Sequence, residues 1–569
     1  MAALEQLAQE WLRLDQDVHT REQIEHLLKV GDTVGLENRL RNNSDSLQDS
    51  GLTSQGLAAY LLDKDSSAAG KGVVIGHDAR FNSEKFAKLA AGSFIAKGIK
   101  VWWYEDLVHT PLVPFGVNEL GAVAGVMITA SHNPAHDNGY KYDSRYWSNG
   151  CQIIPPHDSE IAKSILRNLQ PILWDTAVVE SNSLLVENVS DRVKEKYFSA
   201  VVKIATPPPS GHRHQCQFMY TAMHGVGLPY MEETARRLGL QHDMEIVEDQ
   251  ARPDPNFPTV KFPNPEEQGA LDLAIQMANR QNISLIVATD PDADRLAVAN
   301  KTDGIWHQLT GNQLGVLFAA HLLETNDERK HPLKQMALLC SAVSTAMLRS
   351  MAEREGFHFE ETLTGFKWLG NKALELREQD YYVPFAFEEA IGYMFSDVVY
   401  DKDAIAAAAV FLTAASRWNL TENLSPWGKL QQLYEKYGFF ENANTYLLSP
   451  QADVTTQVFT DIRKLGNPYP MSLGSHKIRR WRDLTEGFDS ATSDNIPVLP
   501  GSRDSQMISC ELDGGISFTV RGSGTEPKIK LYIECRADTS ASAKSGAEQT
   551  LDDLLQEWFK PEVYGLKLA

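Results

Sequence analysis

From about Leu57 to residue 440 the chain alternates short apolar runs with amphipathic stretches of helical spacing, which leaves few folds open to it. Val73-Val74-Ile75 and Val101-Trp102-Trp103 read as strands, with a helix around Glu84 to Lys97 between them. Strand, helix and strand at that spacing make a βαβ unit, which requires a mostly parallel sheet covered by helices. The pattern recurs with a strand at Gln217 to Tyr220, a helix at Glu232 to Leu238, a strand at Glu245 to Val247 and a helix at Leu271 to Arg280. A third set runs from about residue 313 through the strand Met336 to Leu339 and the helix Thr345 to Glu355. After about residue 440 the texture changes: Ile516 to Val520 and Ile529 to Ile533 look like paired strands, and Leu551 to Phe559 like a closing helix. At 569 residues the chain is too long for one core. The expected class is α/β, with three similar mixed α/β domains plus a C-terminal α+β domain around a central cleft. The expected boundaries are 57–205, 206–312, 313–440 and 441–569. Residues 1–56 read as two amphipathic helices, on Leu4, Leu7, Trp11 and Leu14 and on Ile24, Leu27 and Leu28, followed by a polar loop from Arg41 to Gln55.

The most informative loop follows the apolar run Leu285-Ile286-Val287-Ala288, which empties into Asp290-Pro291-Asp292-Ala293-Asp294-Arg295. Three carboxylates at alternating positions repel one another, so a fold tolerates them best around a hard cation. Oxygen-only ligands point to Mg²⁺ or Ca²⁺ rather than zinc, and the adjoining Arg suggests a phosphate beside the metal. An EF-hand loop would need Gly and Glu where Arg295 and Lys301 stand, and is excluded. A phosphatase with an aspartyl nucleophile also fits Asp290-Pro291-Asp292. A solvated acidic turn stays open too, although the preceding strand and the Arg are unusual for one.

Three further loops carry chemistry. Thr129-Ala130-Ser131-His132-Asn133-Pro134 follows the apolar segment Ala124 to Ile128 and exposes a hydroxyl among small residues, as a nucleophile requires. Ser131 and His132 are not expected to form a triad, because adjacent residues on a strand point to opposite faces. Asn138-Gly139-Tyr140-Lys141 would return a cation to the same mouth. Arg521-Gly522-Ser523-Gly524-Thr525-Glu526-Pro527-Lys528 has the glycines, hydroxyls and cations of a phosphate cradle. Phe387-Glu388-Glu389-Ala390-Ile391-Gly392-Tyr393 offers paired carboxylates that can accept bonds from sugar hydroxyls. Each loop also has a plainer reading, as a turn or a helix cap.

A net charge of −21 argues against nucleic acid or an anionic membrane as the partner, while leaving room for an anionic small molecule bound by a local basic cluster. The five cysteines are scattered and include no C-x-x-C pair, which suits buried reduced thiols in a cytoplasmic protein. The N-terminus lacks the pattern of a signal peptide. The apolar stretch Ala404 to Ala415 is too short to span a bilayer. Oligomeric state is not readable from the sequence.

In this order the four loops resemble those of the α-D-phosphohexomutase superfamily. Asp254-Pro255, Pro263 to Glu267, Gly356 to Thr362 and Phe385 to Tyr393 look like its eukaryotic phosphoglucomutase-2 branch, which includes phosphopentomutases and glucose-1,6-bisphosphate synthases. The resemblance implies a phosphoserine at Ser131 and Mg²⁺ held by Ser131, Asp290, Asp292 and Asp294. It implies substrate contacts from Asp294, Arg295, Thr364, Gly365, Lys367, Glu388, Glu389 and Lys402. Arg521, Ser523, Gly524, Thr525 and Lys528 would hold the phosphate not being transferred. His132 and Lys141 are the candidates for acid–base work, and His224 matches a family loop. The implied reaction interconverts pentose (and hexose) 1-phosphates with 5- or 6-phosphates through a sugar bisphosphate, which also serves as activator. Glucose-1,6-bisphosphate synthesis, or sugar-phosphate binding without turnover, are the alternatives. The chain departs from the family where a Gly-Thr-Ala-Gly-Leu-Arg segment is replaced by Leu40 to Asp45, where Tyr142 to Tyr146 look longer than the pattern, at Ala390 (often Ser) and at Gly522 (often Thr).

Overall fold

A computed structural model describes residues 47–569 apart from 171, 174, 183, 206–215, 502, 504, 523–526 and 569, together with 9, 12 and 24–29; for 47–50, 140–147 and 452 it describes the backbone alone. The chain divides into two compact units. The first comprises Met1–Leu314, Phe366–Glu375 and Ala390–Ser425, and the second Gly315–Gly365, Leu376–Glu389 and Pro426–Ala569. Most of the expected N-terminal helix positions, and Leu40 to Asp45, lie outside the described residues; Ile24 to Lys29 are helical.

The first unit holds two five-stranded sheets. One is built from β1 (Val73–His77), β2 (Val101–Trp103), β3 (Ala124–Ile128), β4 (Tyr140–Trp147) and β5 (Val186–Asn188) in the order β4-β3-β1-β2-β5. All its pairings are parallel except β3 with β4. Every residue of β1 and β3 is buried, as parallel strands covered on both faces require. The helix Ser83–Ala96 contributes Phe86, Ala87, Ala90, Ala91 and Phe94 to the core beside Val73, Ile75, Val101 and Val126.

The other sheet uses β6 (Phe218–Thr221), β7 (Met244–Ile246), β8 (Leu285–Thr289), β9 (Leu296–Thr302) and β10 (Ile305–Leu309) in the order β10-β9-β8-β6-β7. β8 is buried throughout and runs parallel to β6 and antiparallel to β9. The acidic loop is therefore the β8–β9 connection. The apolar stretch from Ala404 begins the helix Ala404–Glu422, which is buried along most of its length. No helix among the described residues is long and apolar enough to cross a membrane.

In the second unit β11 (Met336–Ser341) lies between two parallel neighbours, β12 (His358–Thr362) and β13 (Tyr382–Glu388). The C-terminal segment forms an antiparallel sheet through His476–Asp483, Met507–Leu512, Ile516–Gly522 and Lys528–Ala537. Its core gathers Phe459, Trp481, Phe518, Trp558 and Phe559.

Two local expectations need correction. The stretch from Arg41 to Gln55 is not all loop, because a helix spans Leu47–Lys64. Its polar look hides close packing: Ser54 and Gln55 are buried, and a Cβ on Gly56 would sit 2.5 Å from the Ile165 backbone. The Gln55 amide donates to the carbonyls of Asn168 and Gln170, both at 2.8 Å, at the end of the helix His157–Arg167. The closing helix also starts earlier than Leu551, at Ser540, where the Thr539 hydroxyl caps it by accepting from the Ser542 N–H. All five cysteines are free, four of them buried, and burial pushes the half-buried Cys216 thiol up to about 12.

Candidate active site

At the end of β8 the chain folds back on itself. The Ala293 N–H donates to the Asp290 carbonyl (2.9 Å), and the N–H groups of Asp294 and Arg295 donate to the Asp290 carboxylate (3.1 and 3.0 Å). Asp290, Asp292 and Asp294 are fully buried, each with a carboxylate oxygen within 4.8 Å of the others', so this is not a solvated turn. Burial, and then the neighbouring Asp292 and Asp294, push Asp290 well above the usual carboxylate range. Three buried carboxyls whose charges repel one another are a donor set that fits a hard cation.

Other segments lock this loop in place. The Thr110 hydroxyl donates to Asp292 Oδ2 at 2.6 Å and its N–H to the Asp292 carbonyl at 3.0 Å. Behind Thr110, His109 packs against Tyr230 (4.0 Å between centroids) and Tyr197 (4.8 Å), and burial holds it neutral with a pKa lowered to about 3. Gly225 permits close approach, since a Cβ there would sit 2.3 Å from Pro291, whose carbonyl accepts from the Val226 N–H (2.8 Å). His224 Nε2 meets the Thr259 hydroxyl at 2.8 Å, a packing role beside the same loop.

Two cations reach the acids. Lys402 Nζ lies 2.7 Å from Asp294 Oδ2; burial pulls its pKa down, but Asp294 and Asp401 more than offset this and hold it above the usual lysine value. Asp403, next in the chain, caps the helix Ala404–Glu422 through the N–H groups of Ile405 and Ala406 and accepts from the Tyr197 hydroxyl at 2.8 Å. Arg295 Nε is 4.0 Å from Asp294, and Arg295 Nη1 donates to the Ala390 carbonyl at 2.9 Å.

Ser131 joins the same cluster. Its hydroxyl donates to Asp290 Oδ2 at 3.0 Å, and its side chain is nearly fully buried. β3 ends at Ile128, and Ser131 adopts the left-handed region with φ 52°. The rule that neighbours on a strand point apart therefore does not apply, and Ser131 Oγ lies 3.3 Å from His132 Nδ1. Lys141 is in β4, with its side chain outside the described residues. Lys367 sits in the helix Phe366–Glu378, its ammonium 5.7 Å from the centre of the Trp368 ring.

The second unit carries the remaining expected residues. Gly365, at φ 116°, donates its N–H to the Glu388 carboxylate. The Thr364 hydroxyl beside it is buried without a hydrogen-bond partner among the described residues. The Glu389 carboxylate accepts from the Ser341 hydroxyl at 3.2 Å, and its N–H donates to Ser344 Oγ at 3.1 Å. Arg521 lies against Tyr532, with Nη2 3.4 Å from the phenol oxygen. Lys528 Nζ is 5.1 Å from the centre of the Tyr446 ring. Ser523, Gly524 and Thr525 fall outside the described residues.

Comparison with known proteins identifies the family. The models for phosphoglucomutase/phosphomannomutase α/β/α domains I, II and III match residues 37–171, 195–304 and 310–437. A protein of Schizosaccharomyces pombe named "Probable phosphoribomutase" is 43% identical over 586 aligned residues, 99% of both chains. This chain belongs to the phosphoglucomutase/phosphomannomutase family. The human protein named phosphopentomutase is 39% identical, over 100% of this chain and 97% of its own. A Paramecium phosphoglucomutase (parafusin) crystal structure in its open form aligns with a TM-score of 0.66 at 18% identity, covering 89% of this chain and 91% of that one, and shares the fold. Membership replaces the aspartyl-phosphatase reading of the acidic loop: the chain is a mutase-type phosphotransferase of the α-D-phosphohexomutase superfamily.

Sequence reasoning missed Thr110, which no charge pattern marks. It also missed Arg80, although Asp78-Ala79-Arg80 directly after β1 was a signal of polar residues at a strand end.

Proposed function

We propose that this chain interconverts pentose 1-phosphates and 5-phosphates, with hexose phosphates as secondary substrates, through a phosphoserine at Ser131 and a sugar bisphosphate. The observation that carries this reading is the Ser131 hydroxyl held 3.0 Å from Asp290 inside a buried triad of carboxylates. A serine hydroxyl among three buried acids needs a cation to offset their charge before it can give up or take back a phosphoryl group. It is suited to carry a phosphoryl group whose charge a cation balances.

Asp290, Asp292 and Asp294 would hold Mg²⁺ together with a phosphoryl oxygen on Ser131, and the ion would neutralise charge on that group. In the first transfer the bond from phosphorus to Ser131 Oγ breaks and a bond to a sugar hydroxyl oxygen forms. The sugar hydroxyl gives up its proton, for which His132 and Lys141 are the candidate acceptors, and a proton goes to the departing Ser131 Oγ. The bisphosphate turns over, and its other phosphoryl returns to Ser131 in the reverse sense. Arg295 and Lys402 would balance charge at the transferring group, and Asp294 would contact the substrate through them. Thr364, Gly365 and Lys367 would meet the anomeric end, and Glu388 and Glu389 the sugar hydroxyls. Arg521, Ser523, Gly524, Thr525 and Lys528 would hold the idle phosphate. The free thiols support a reducing, cytoplasmic setting.

The test is to follow ribose 1-phosphate and ribose 5-phosphate interconversion with Mg²⁺ and catalytic bisphosphate, with glucose phosphates in parallel. Intact mass before and after phosphatase treatment reports phosphate on Ser131. Turnover that is lost in Ser131→Ala is the expected result; equal rates for Ser131→Ala and the native enzyme would end the proposal. Net accumulation of bisphosphate from an acyl-phosphate donor would move the assignment to synthesis instead.

A further inference from the structure

We propose that Arg80 is a positioning residue that holds the Ser131 loop in its transfer conformation, an inference that rests on the mutase reading of Ser131. Arg80 stands just past β1, 51 residues before the serine, and is buried. Its Nη2 donates to the carbonyls of Ser131 (2.7 Å) and Asn133 (2.6 Å), and its Nη1 to those of Pro134 (2.8 Å) and Asp137 (2.9 Å). Four carbonyls from seven consecutive residues thus converge on one guanidinium, and the loop is wrapped around it.

Arg80 is itself fixed. Its Nε lies 3.6 Å from Asp78 Oδ2, and its N–H donates to Asp78 Oδ1 at 3.0 Å, an oxygen that also accepts from the Ser83 hydroxyl. The Phe257 ring lies 4.9 Å from the guanidinium carbon. The Asn138 amide ties the far end of the loop to the Phe81 carbonyl and to Ser83 Oγ.

Two features make this arrangement matter for transfer rather than for folding alone. Ser131 is a non-glycine residue at φ 52°, a conformation that persists when its surroundings over-determine it. The bond from Arg80 to the Ser131 carbonyl, and the one from the Ser131 N–H to Thr129 Oγ1 (2.8 Å), clamp that residue from both sides. The clamp also fixes Ser131 Oγ against Asp290. Lysine cannot replace this device, because its ammonium offers donors from a single point, whereas the four carbonyls need the planar fork.

The test compares the native enzyme with Arg80→Lys and Arg80→Ala. Loss of an outer-sphere partner lowers activity about 10–100-fold, and displacement of a reacting group by roughly 1 Å has an effect of the upper order. Both variants should lose kcat by such a factor, while KM for the sugar phosphate stays within about two-fold. Amide hydrogen exchange should quicken across residues 131–139 and not across β6 or β8. Guanidinium ion added to Arg80→Ala should restore part of kcat, and ammonium should not. Native-like kcat in Arg80→Lys, or a loss of activity no larger than the loss of folded protein, would overturn the proposal. If Arg80→Ala does not fold, Arg80→Lys decides alone. Failure of the mutase reading is separable, because the native enzyme would then show no turnover and no phosphate on Ser131, whereas hydrogen exchange still tests whether Arg80 holds the loop.

Discussion

Replacing Thr110 with Val isolates one buried contact of the acidic triad. The substitution keeps the shape of the side chain and removes the hydroxyl that donates to Asp292 Oδ2 at 2.6 Å. The bond from the Thr110 N–H to the Asp292 carbonyl remains at 3.0 Å, so the acidic loop stays anchored while its middle carboxylate loses an orienting donor. A hydrogen bond to a charged group contributes about 1.5–3 kcal/mol. At about 1.4 kcal/mol per decade this corresponds to roughly 10- to 100-fold in an equilibrium constant. Removing partners that orient metal ligands has an effect of about that size on affinity or activity. No compensating charge change is expected from His109, which burial keeps neutral. The expected outcome is a Mg²⁺ requirement raised about 10- to 100-fold, read two ways. One is the Mg²⁺ concentration for half-maximal turnover, and the other is the Mg²⁺ concentration needed to raise the melting temperature of the sugar-free protein. A folded Thr110→Val protein with native half-saturation by both readouts would refute the claim that Thr110 sets the Asp292 ligand geometry.

Arg521→Ala should act on binding rather than on the transferring group: KM for the sugar phosphate should rise about 10- to 100-fold, as for a lost charge-assisted contact, with a smaller fall in kcat, and steady-state kinetics will show whether that split holds. Glu534 supplies a pH signature away from the acids. Burial raises its pKa from 4.5 to about 7, although it accepts from the Ala346 N–H at 2.8 Å. The folded state therefore keeps a proton that the unfolded state releases between about pH 4.5 and 7, and stability from this group is lost as pH rises through that window. Glu534→Gln should flatten the slope, so its stability relative to the native protein should grow from pH 5 to pH 8 in denaturant titrations; a parallel pair of curves would refute the shift.

Local signals carried far in this chain. β8 was legible because a run buried on both faces has no polar position to dilute it, and the acids beyond it alternate in a way no ordinary turn needs. The serine loop was legible for a similar reason, as a strand that breaks into small residues around a hydroxyl. What misled was polarity taken as exposure: Ser54 and Gln55 look solvated and are buried against the helix His157–Arg167. The reason given for keeping Ser131 and His132 apart assumed strand geometry past Ile128, where the backbone turns left-handed and brings Ser131 Oγ to 3.3 Å from His132 Nδ1, a contact that does not by itself make a triad.

The sequence by itself determined the repeated α/β units, the order of the four loops and the residue types each one carries, because strand periodicity and side-chain chemistry are properties of neighbouring residues. Tertiary structure alone decided what stands behind them. Thr110 reaches Asp292 across 182 residues and Arg80 reaches the Ser131 loop across 51, and neither pairing leaves a trace in local composition. Full burial of all three acids, the raised pKa of Asp290 and the approach of Lys402 to Asp294 likewise exist only once separate segments meet. Periodicity is encoded between neighbours, whereas desolvation and the hydrogen bonds that offset it arise only from packing between segments far apart in the chain.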